Sequence, residues 1–474
     1  MTTLDAAAPA AASPPPTSER RRIPIWIALV AVSLPMFMAT LDNLVMTTAL
    51  PVIREDLSSS VAQLSWFLNA YTLTFATFML PAATLGDRLG RRRVMSIGVG
   101  VFTLASIASA LSTTSEMLIA ARAVQGLGAA AIMPLSLTLL AAAVPPAKRA
   151  IAIGIWGGVS GLGVALGPVV GGAVVEGINW QATFWLNIPV ALVALPLLLV
   201  AVPESRGTWS RLDLVGTAML GGTVSLGIWS IVHGNDDGWS DPIVLGPLVI
   251  AALLIPAYVL RARGRDQAVL PLRLFRSRGF SVANVVGLTF TIGMFGTVFL
   301  LSQYLQIVQG YTPLEAGLRT LPWTAAPMIV APIAGALAAR VGLRSLLVSG
   351  LSLQTASLVW FAVLTENGSG YSSFVLPLVL AGIGMGLTFA PSATAVLEGL
   401  PDADFAIASS ANSTIREFGV ALGIALLTAV FLGNGGALTP TGYTGAIGPA
   451  LLTGAAAVAV AVVAACFAPG RIRR

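Results

Sequence analysis

The chain has one cysteine, Cys466, and one histidine, His233, in 474 residues. A single cysteine excludes an intrachain disulfide and any cysteine-built metal site. With one histidine, neither a His/Cys metal cluster nor a Ser/His/Asp hydrolytic arrangement can be assembled from several candidates. His233 falls at a predicted helix end, where a solvated side chain is expected rather than a proton relay. Charge is scarce as well. Asp, Glu, Lys and Arg make up 10% of the chain, against about 25% in a soluble domain. With 56% hydrophobic residues and a mean hydropathy of +0.86, a soluble globule is excluded. The alternating strands of a membrane β-barrel would not give long continuous apolar runs, which leaves an all-α polytopic membrane protein. No G-x-x-x-x-G-K-[ST] loop is present, so nothing in the sequence points to ATP. No cofactor is expected either, and uphill transport would draw on a gradient.

A span needs about 20 apolar residues, and fourteen stretches qualify: near 25–51, 63–85, 93–112, 115–143, 150–176, 180–202, 212–233, 242–260, 279–307, 314–338, 344–364, 372–397, 404–431 and 447–468. The pI near 10 does not signal nucleic acid, because the basic residues are segregated among loops. Of the 26 Lys and Arg residues, 22 fall on one side: Arg20 to Arg22, Arg88, Arg91 to Arg93, Lys148, Arg149, Arg206, Arg211, the six arginines from Arg261 to Arg278, Arg340, Arg344, Arg471, Arg473 and Arg474. Arg54 alone lies opposite, and Arg122, Arg319 and Arg416 fall inside spans. The positive-inside rule then predicts both termini in the cytoplasm. Arg20 to Arg22 also resemble the start of a signal peptide, but the run from Ile23 to Leu41 is too long for one.

Two short sequences occur twice. Leu85-Gly86-Asp87-Arg88-Leu89-Gly90-Arg91-Arg92-Arg93, between the second and third spans, has a looser copy at Leu337 to Arg344, between the tenth and eleventh. Gly163-Val164-Ala165-Leu166-Gly167, in the fifth span, recurs unchanged as Gly419 to Gly423 in the thirteenth. Both pairs are eight spans apart, so the chain reads as a duplicated six-helix unit with two helices inserted, 6 + 2 + 6, and internal repeats of this kind mark transporters. The predicted division is a disordered cytoplasmic tail over 1–22, a six-helix bundle over 23–205, an inserted pair over 206–262, a basic cytoplasmic linker over 263–278, a second bundle over 279–470 and a short tail over 471–474.

Asp42 stands inside the first span, where an ionisable group costs on the order of 3 kcal/mol unless it meets water, a partner or a proton path. It is either a structural hydrogen-bonded acid near a kink or a proton carrier. Arg122 in the fourth span comes to a similar depth, about 10–14 Å from the outer surface, so the two can pair and Arg122 can tune the protonation of Asp42. Arg416 and Glu417 are neighbours in the thirteenth span and point in different directions; Glu417 is the second candidate proton carrier, or else a bonded group near the inner interface. The fifth span carries Gly154, Gly157, Gly158, Gly161, Gly163, Gly167, Gly171 and Gly172 with Pro168, which allows close helix contact and a bend. In the basic turn Gly86 and Gly90 permit the reversal, while an acid, Asp87, among arginines including Arg88 and Arg91 suggests a latch besides a topology signal. Trp66, Asn69, Tyr71, Trp185, Asn187, Gln303, Tyr304 and Gln306 could line a cavity for an amphipathic ligand, although aromatics in spans more often face lipid or pack.

Four motifs together resemble the 14-helix drug/proton antiporter branch of the major facilitator superfamily. Leu85 to Arg93 resembles its loop signature, with Ala83 where Gly is usual. Arg122-Ala123-Val124-Gln125-Gly126-Leu127-Gly128 resembles its fourth-helix proton-transfer signature. Gly163-Val164-Ala165-Leu166-Gly167-Pro168-Val169-Val170-Gly171-Gly172 resembles its antiporter motif, and Leu41 to Pro51 its first-helix signature. The chain departs from that pattern at Leu44, Thr47, Gln181 and Ala182. The resemblance implies an alternating-access exporter, not an enzyme, in a bacterial cytoplasmic membrane, able to work as a monomer. It would carry hydrophobic or amphipathic drug-like molecules in exchange for protons, with helix 5 sealing the outer mouth. An importer, a lipid or metabolite flippase on the same fold, and a non-transporting sensor or scaffold are the alternatives.

Overall fold

The computed structural model describes residues 24–470 except 208–212, 235–236, 266–267 and 402–403. The expected tails over 1–22 and 471–474, with their arginines, and Arg211 lie outside the described residues. Among the described residues there are fifteen α-helices and no strand: α1 (Ile25–Leu57), α2 (Val61–Leu89), α3 (Arg91–Ala110), α4 (Ser115–Ala143), α5 (Pro146–Gly177), α6 (Gln181–Trp185), α7 (Asn187–Ala201), α8 (Leu214–His233), α9 (Pro242–Ala262), α10 (Arg278–Ile307), α11 (Pro313–Val341), α12 (Leu343–Glu366), α13 (Tyr371–Leu397), α14 (Phe405–Gly433) and α15 (Pro440–Ala465). Among the described residues thirteen spans are long and apolar enough to cross a membrane, counting α6 and α7 as one over Gln181–Ala201. The 29-residue α2, with Asn69, Tyr71, Thr72 and Thr74 in its middle, is long enough but is not among them.

Local chemistry sets the ends. Ser60 with Gln63 and Thr312 with Glu315 form reciprocal capping boxes at the starts of α2 and α11, satisfying amides that would otherwise be orphaned. Gly90 and Gly342, at φ +115° and +90°, separate α2 from α3 and α11 from α12. Such angles are open to glycine at little cost. Two expectations are corrected. α1 does not stop at Pro51 but continues to Leu57, because Pro51 costs the helix only one bond and the polar turn Arg54–Asp56 can still be helical in water. The sixth span is broken at Leu186 into α6 and α7, with Pro189 in the first turn of α7, where its missing N–H is an orphan anyway.

The proximal end of the bundle is defined by the start of α1 and the α2–α3 turn, and the distal end by the α1–α2 loop. In the first half α4 packs on α2 and α3, α5 on α1, and α7 on α1 and α3. In the second half α13 packs on α11 and α12, α14 on α10, and α15 on α10 and α12. Each contact of the first set has its counterpart eight spans later. The halves meet where α14 lies on α2 and α11 lies on α5, and α8 packs against both α2 and α14. There Leu73 and Ala76 of α2, Ile228 and Val232 of α8, and Phe418, Ala421 and Ala425 of α14 form one apolar cluster. The partner of α8, α9, is only 17% buried over its apolar window, so it presents Leu253, Ile255 and Leu260 outward, as a lipid-facing helix must.

Candidate functional site

The centre of the first half holds a closed polar network in an otherwise apolar interior. Asp42 Oδ2 accepts from Arg122 Nη1 at 2.5 Å, and Asp42 Oδ1 accepts from Gln125 Nε2 at 2.9 Å and Asn187 Nδ2 at 2.8 Å. The guanidinium is fixed in turn. Its Nη1 also reaches Gln125 Oε1 at 2.7 Å, its Nε donates to the Phe67 carbonyl at 3.1 Å, and its Cζ lies 4.4 Å from the Tyr71 ring centroid. Asn187 further donates to Ser106 Oγ, which donates to the Phe184 carbonyl. Asp42, Arg122, Gln125, Asn187, Ser106 and Tyr71 are all at most 5% exposed. An ion pair is tolerated at such depth only when its remaining donors and acceptors are satisfied, and Gln125 and Asn187 do that for the carboxylate. Arg122 Nη2 remains without a partner.

The predicted pairing of Asp42 with Arg122 is present, but the pair is enclosed between α1, α2, α4 and α7 instead of facing an open cavity. Tyr71 and Asn187, read as possible cavity residues, belong to this network. Gln125 and Ser106 were not singled out. Gln125 lies three residues after Arg122, hence on the same helix face, and that spacing could have found it. Of the other cavity candidates only Gln303 and Gln306 are brought together, at one distal pocket. Trp66 packs on Trp229 of α8, Trp185 is 43% exposed on the surface, and Asn69 is buried with no bond to its amide. Tyr304 is buried beside Phe374 and Tyr443, and Gln303 and Gln306 lie at the distal end of α10.

Arg416 and Glu417 do part company. Arg416 sits over the Phe389 ring at 4.5 Å and abuts Gly287, inside the second half. Glu417 is half-buried and within electrostatic range of Tyr71 across the α2–α14 contact.

The glycines of α5 serve two different surfaces. A Cβ at Gly163, Gly167 or Gly171 would meet Thr40, Leu44, and Val45 with Thr48, all on α1. A Cβ at Gly172 would lie 2.5 Å from Leu314 Cα and closer still to the Pro313 carbonyl oxygen. One at Gly317 of α11 would lie 2.6 Å from the Pro168 carbonyl carbon. α5 and α11 therefore touch backbone to backbone at the distal end. Ser302 Oγ and Gln306 Nε2 of α10 add hydrogen bonds to the carbonyls of Thr47 and Thr48 on α1. Towards the proximal end the fit is looser: a Cβ at Gly161 would meet Met328 at 3.8 Å, an ordinary contact, and one at Gly157, Gly158 or Gly335 would have nothing within 4 Å. The halves are thus sealed distally.

The α2–α3 turn is tied to the end of α7. Asp87 Oδ1 accepts from Arg91 Nε at 2.7 Å, Arg92 Nη1 donates to the carbonyls of Leu199 and Val202, and Glu204 accepts from the amides of Arg92 and Arg93. Arg88 lies in the last turn of α2. In the second half Arg344, the counterpart of Arg92, donates to the Ala468 carbonyl beyond α15. Glu204, which caps the start of α3 from a distance, had no signal in the sequence. Among the described residues no group of His, Cys, Asp or Glu could hold a metal ion.

The family model of the Major Facilitator Superfamily matches residues 32–424. Among curated proteins, the chain is 33% identical over 417 residues to the tetracenomycin C resistance and export protein of Streptomyces glaucescens, covering 88% of this chain and 77% of that protein. It is 36% identical over 407 residues to multidrug resistance protein Stp of Mycobacterium tuberculosis (85% and 75% covered). It is 34% identical over 418 residues to the methylenomycin A resistance protein of Streptomyces coelicolor (87% and 86% covered). Among solved structures, a bacterial homologue of the human lysosomal transporter Spinster, in an inward-facing and unoccupied conformation, aligns with a TM-score of 0.66 at 17% identity, covering 95% of this chain and 97% of that one. At that identity the likeness is one of fold.

Proposed function

The chain belongs to the major facilitator superfamily, a multi-pass transporter of the bacterial cytoplasmic membrane and not an enzyme, and on that premise we propose that it exports hydrophobic or amphipathic drug-like molecules in exchange for protons by alternating access. The kind of cargo follows the named relatives, which are resistance and export proteins. The distribution of arginines supports both termini in the cytoplasm, which makes the proximal end inner and the distal end outer. The repeated sequences and the mirrored helix contacts support a first bundle over 23–205, an inserted pair over 206–262, a basic linker over 263–278 and a second bundle over 279–470. The intact distal seal, with open space beside Gly157, Gly158 and Gly335, supports reading the conformation as one open towards the cytoplasm.

The observation that carries the proton reading is Asp42: a carboxylate inside a span, held by Arg122, Gln125 and Asn187. Protonating it would cancel the charge that holds Arg122 and free a guanidinium already short of one partner. The network would have to rearrange, and α1, which carries Asp42, also makes the outer hydrogen bonds to α10. A proton taken from outside would in this way be coupled to the outer seal. Glu417, close to the α2–α14 contact, is the second candidate carrier. The protein would act as a monomer in lipid, with the proton gradient as its energy source. The test is proton release from proteoliposomes under an imposed pH gradient while cationic, neutral and anionic amphipaths are added. Substrate-evoked flux in wild type and none in Asp42→Asn is expected. Undiminished flux in Asp42→Asn would remove Asp42 from the proton path, and binding without flux in either would favour a non-transporting sensor.

A further inference from the structure

The distal contact between α5 and α11 carries a polar bond as well as bare backbone. The Leu314 amide, in the first turn of α11, donates to Glu176 Oε2, in the last turn of α5, at 3.3 Å. The amides at the start of α11 explain the bond. A helix start leaves four N–H groups without an intrahelical partner. At α11 the Thr312 amide is taken by Glu315 Oε2 and the Glu315 amide by Thr312 Oγ1. Pro313 has no N–H to place. Leu314 is the fourth position, and its acceptor comes from the other half of the molecule.

Glu176 also carries the wrong charge for its own helix. An acid in the last turn of a helix faces partial negative charge, whereas the same acid at a helix N-terminus is favoured. Glu176 stands one residue from the end of α5 and against the start of α11, so its disadvantage on α5 is offset on α11. It lies four residues after Gly172, hence on the same face of α5. At Gly172 that face meets the backbone of Pro313 and Leu314, which brings the two helices close enough for the carboxylate to reach the amide. The repeat has no such acid: counted from the shared Gly-Val-Ala-Leu-Gly, the position of Glu176 is Leu432 in α14.

We infer that Glu176 is a positioning residue of the transport cycle: carried by the first half, it caps α11 of the second half and biases the molecule towards a closed distal end. Its part in a cycle rests on the alternating-access reading given under the proposed function. The bond exists only while the distal ends of α5 and α11 touch. When they part, the carboxylate and the Leu314 amide both pass to water. The bond already lies at the surface, so its loss is the modest one of an exposed charge at a helix terminus. Gly172 permits the contact, and Glu176 weights it without locking it.

The test uses the full chain in lipid nanodiscs, with Cys466→Ser and spin labels attached through Thr113→Cys, between α3 and α4, and Asn367→Cys, between α12 and α13. Both positions are exposed, distal and in different halves. Pulsed electron spin resonance reads the populations of short and long separations, which correspond to the distal end closed and open. Glu176→Ala should raise the ratio of long to short about fivefold at an unchanged melting temperature. Glu176→Gln, which keeps an acceptor without the charge, should fall between the two. Glu176→Lys, which sets a cation against the start of α11, should exceed Glu176→Ala. Glu116→Ala removes an equal charge from the same end, but its partner Gln63 belongs to the same half, so the ratio should stay at the wild-type value. A ratio unmoved by Glu176→Ala, or moved as far by Glu116→Ala, overturns the role of Glu176 and leaves the transport reading standing. One separation in every variant, Gly172→Ala included, overturns alternating access and the role of Glu176 with it.

Discussion

Two adjacent glycines should fail in different ways. A Cβ at Gly172 would stand 2.5 Å from Leu314 Cα, and nearer still to the Pro313 oxygen, roughly 1 Å inside van der Waals contact with backbone that no rotamer change can move. Pro313 and Leu314 start α11, so the clash lies between the halves. It exists only while the distal seal is closed. Overpacking of this kind costs about 1–3 kcal/mol, and about 2 kcal/mol would shift the balance towards an open distal end about 30-fold. A Cβ at Gly171 would meet Thr48 Oγ1 at 2.5 Å and the Val45 oxygen at 2.8 Å. Both lie on α1, packed on α5 within one half, so that cost is borne whichever end is open. Thr320, which lines a small enclosed cavity behind the seal with Thr47 and Ser302, provides the reporter. With Cys466→Ser and Thr320→Cys, Gly172→Ala should raise the rate of labelling by an impermeant maleimide from the distal side by about ten- to thirty-fold with little change in melting temperature. Gly171→Ala should lower the melting temperature and leave labelling near its starting rate. Gly157→Ala, where nothing lies within 4 Å, should do neither. Equal labelling in the Gly171 and Gly172 variants would refute the assignment of the two contacts to different surfaces.

Three further outcomes follow from the same geometry. Arg122→Leu strands the Asp42 carboxylate and should cost about 3–5 kcal/mol; adding Asp42→Asn should recover much of it, giving strong coupling in a double-mutant cycle read by thermal unfolding in detergent. Glu204→Ala leaves the amides of Arg92 and Arg93 uncapped and should cost about 1 kcal/mol, whereas Glu204→Gln should retain most of the stability. At the start of α14, two hydrogen bonds from Arg273, at 2.5 and 2.8 Å, hold the Asp404 carboxyl below its ordinary range. A depressed carboxylate contributes stability that is fully present above its unfolded value of about 3.9 and lost as pH falls through its lower folded value. The stability gap between wild type and Asp404→Asn should therefore be flat from about pH 8 to pH 5.5 and close only below about pH 4; a gap closing near pH 6 would exclude this pair as its source.

How much of this was legible in the sequence depends on the range of the interaction. The α2–α3 turn was readable because its causes are local: Gly90 at positive φ, a run of arginines, and two apolar segments that leave no room for a longer loop. The pairing of Asp42 with Arg122 was readable from depth, since a charge that deep needs a partner and few were available. Asn187 was misplaced because its role depends on the break at Leu186 and on α7 lying beside α1, which no local pattern encodes. Trp185, two residues earlier, went to the surface for the same reason: helix facing is set by tertiary packing, and an aromatic in a span is compatible with lipid or interior.

The repeated Gly-Val-Ala-Leu-Gly shows where sequence stops specifying the outcome. In α5 its glycines admit Thr40 and Leu44 of α1, and in α14 they admit Leu288 and Ile292 of α10, so identical residues make the same contact inside each half. The following residues differ, Pro168 to Gly172 on α5 against Ile424 to Thr428 on α14, and so do the partners across the seam. α5 meets α11 through bare backbone at Gly172 and Gly317, whereas α14 meets α2 through Phe418, Ala421 and Ala425 with α8 packed over the join. Parting the apolar cluster shared by α2, α8 and α14 costs about 25 cal/mol for each Å² exposed, whereas at Gly172 and Gly317 the two backbones meet directly. A crosslink across the distal α5–α11 contact should arrest transport, whereas one between α2 and α8, on the covered side, should be tolerated.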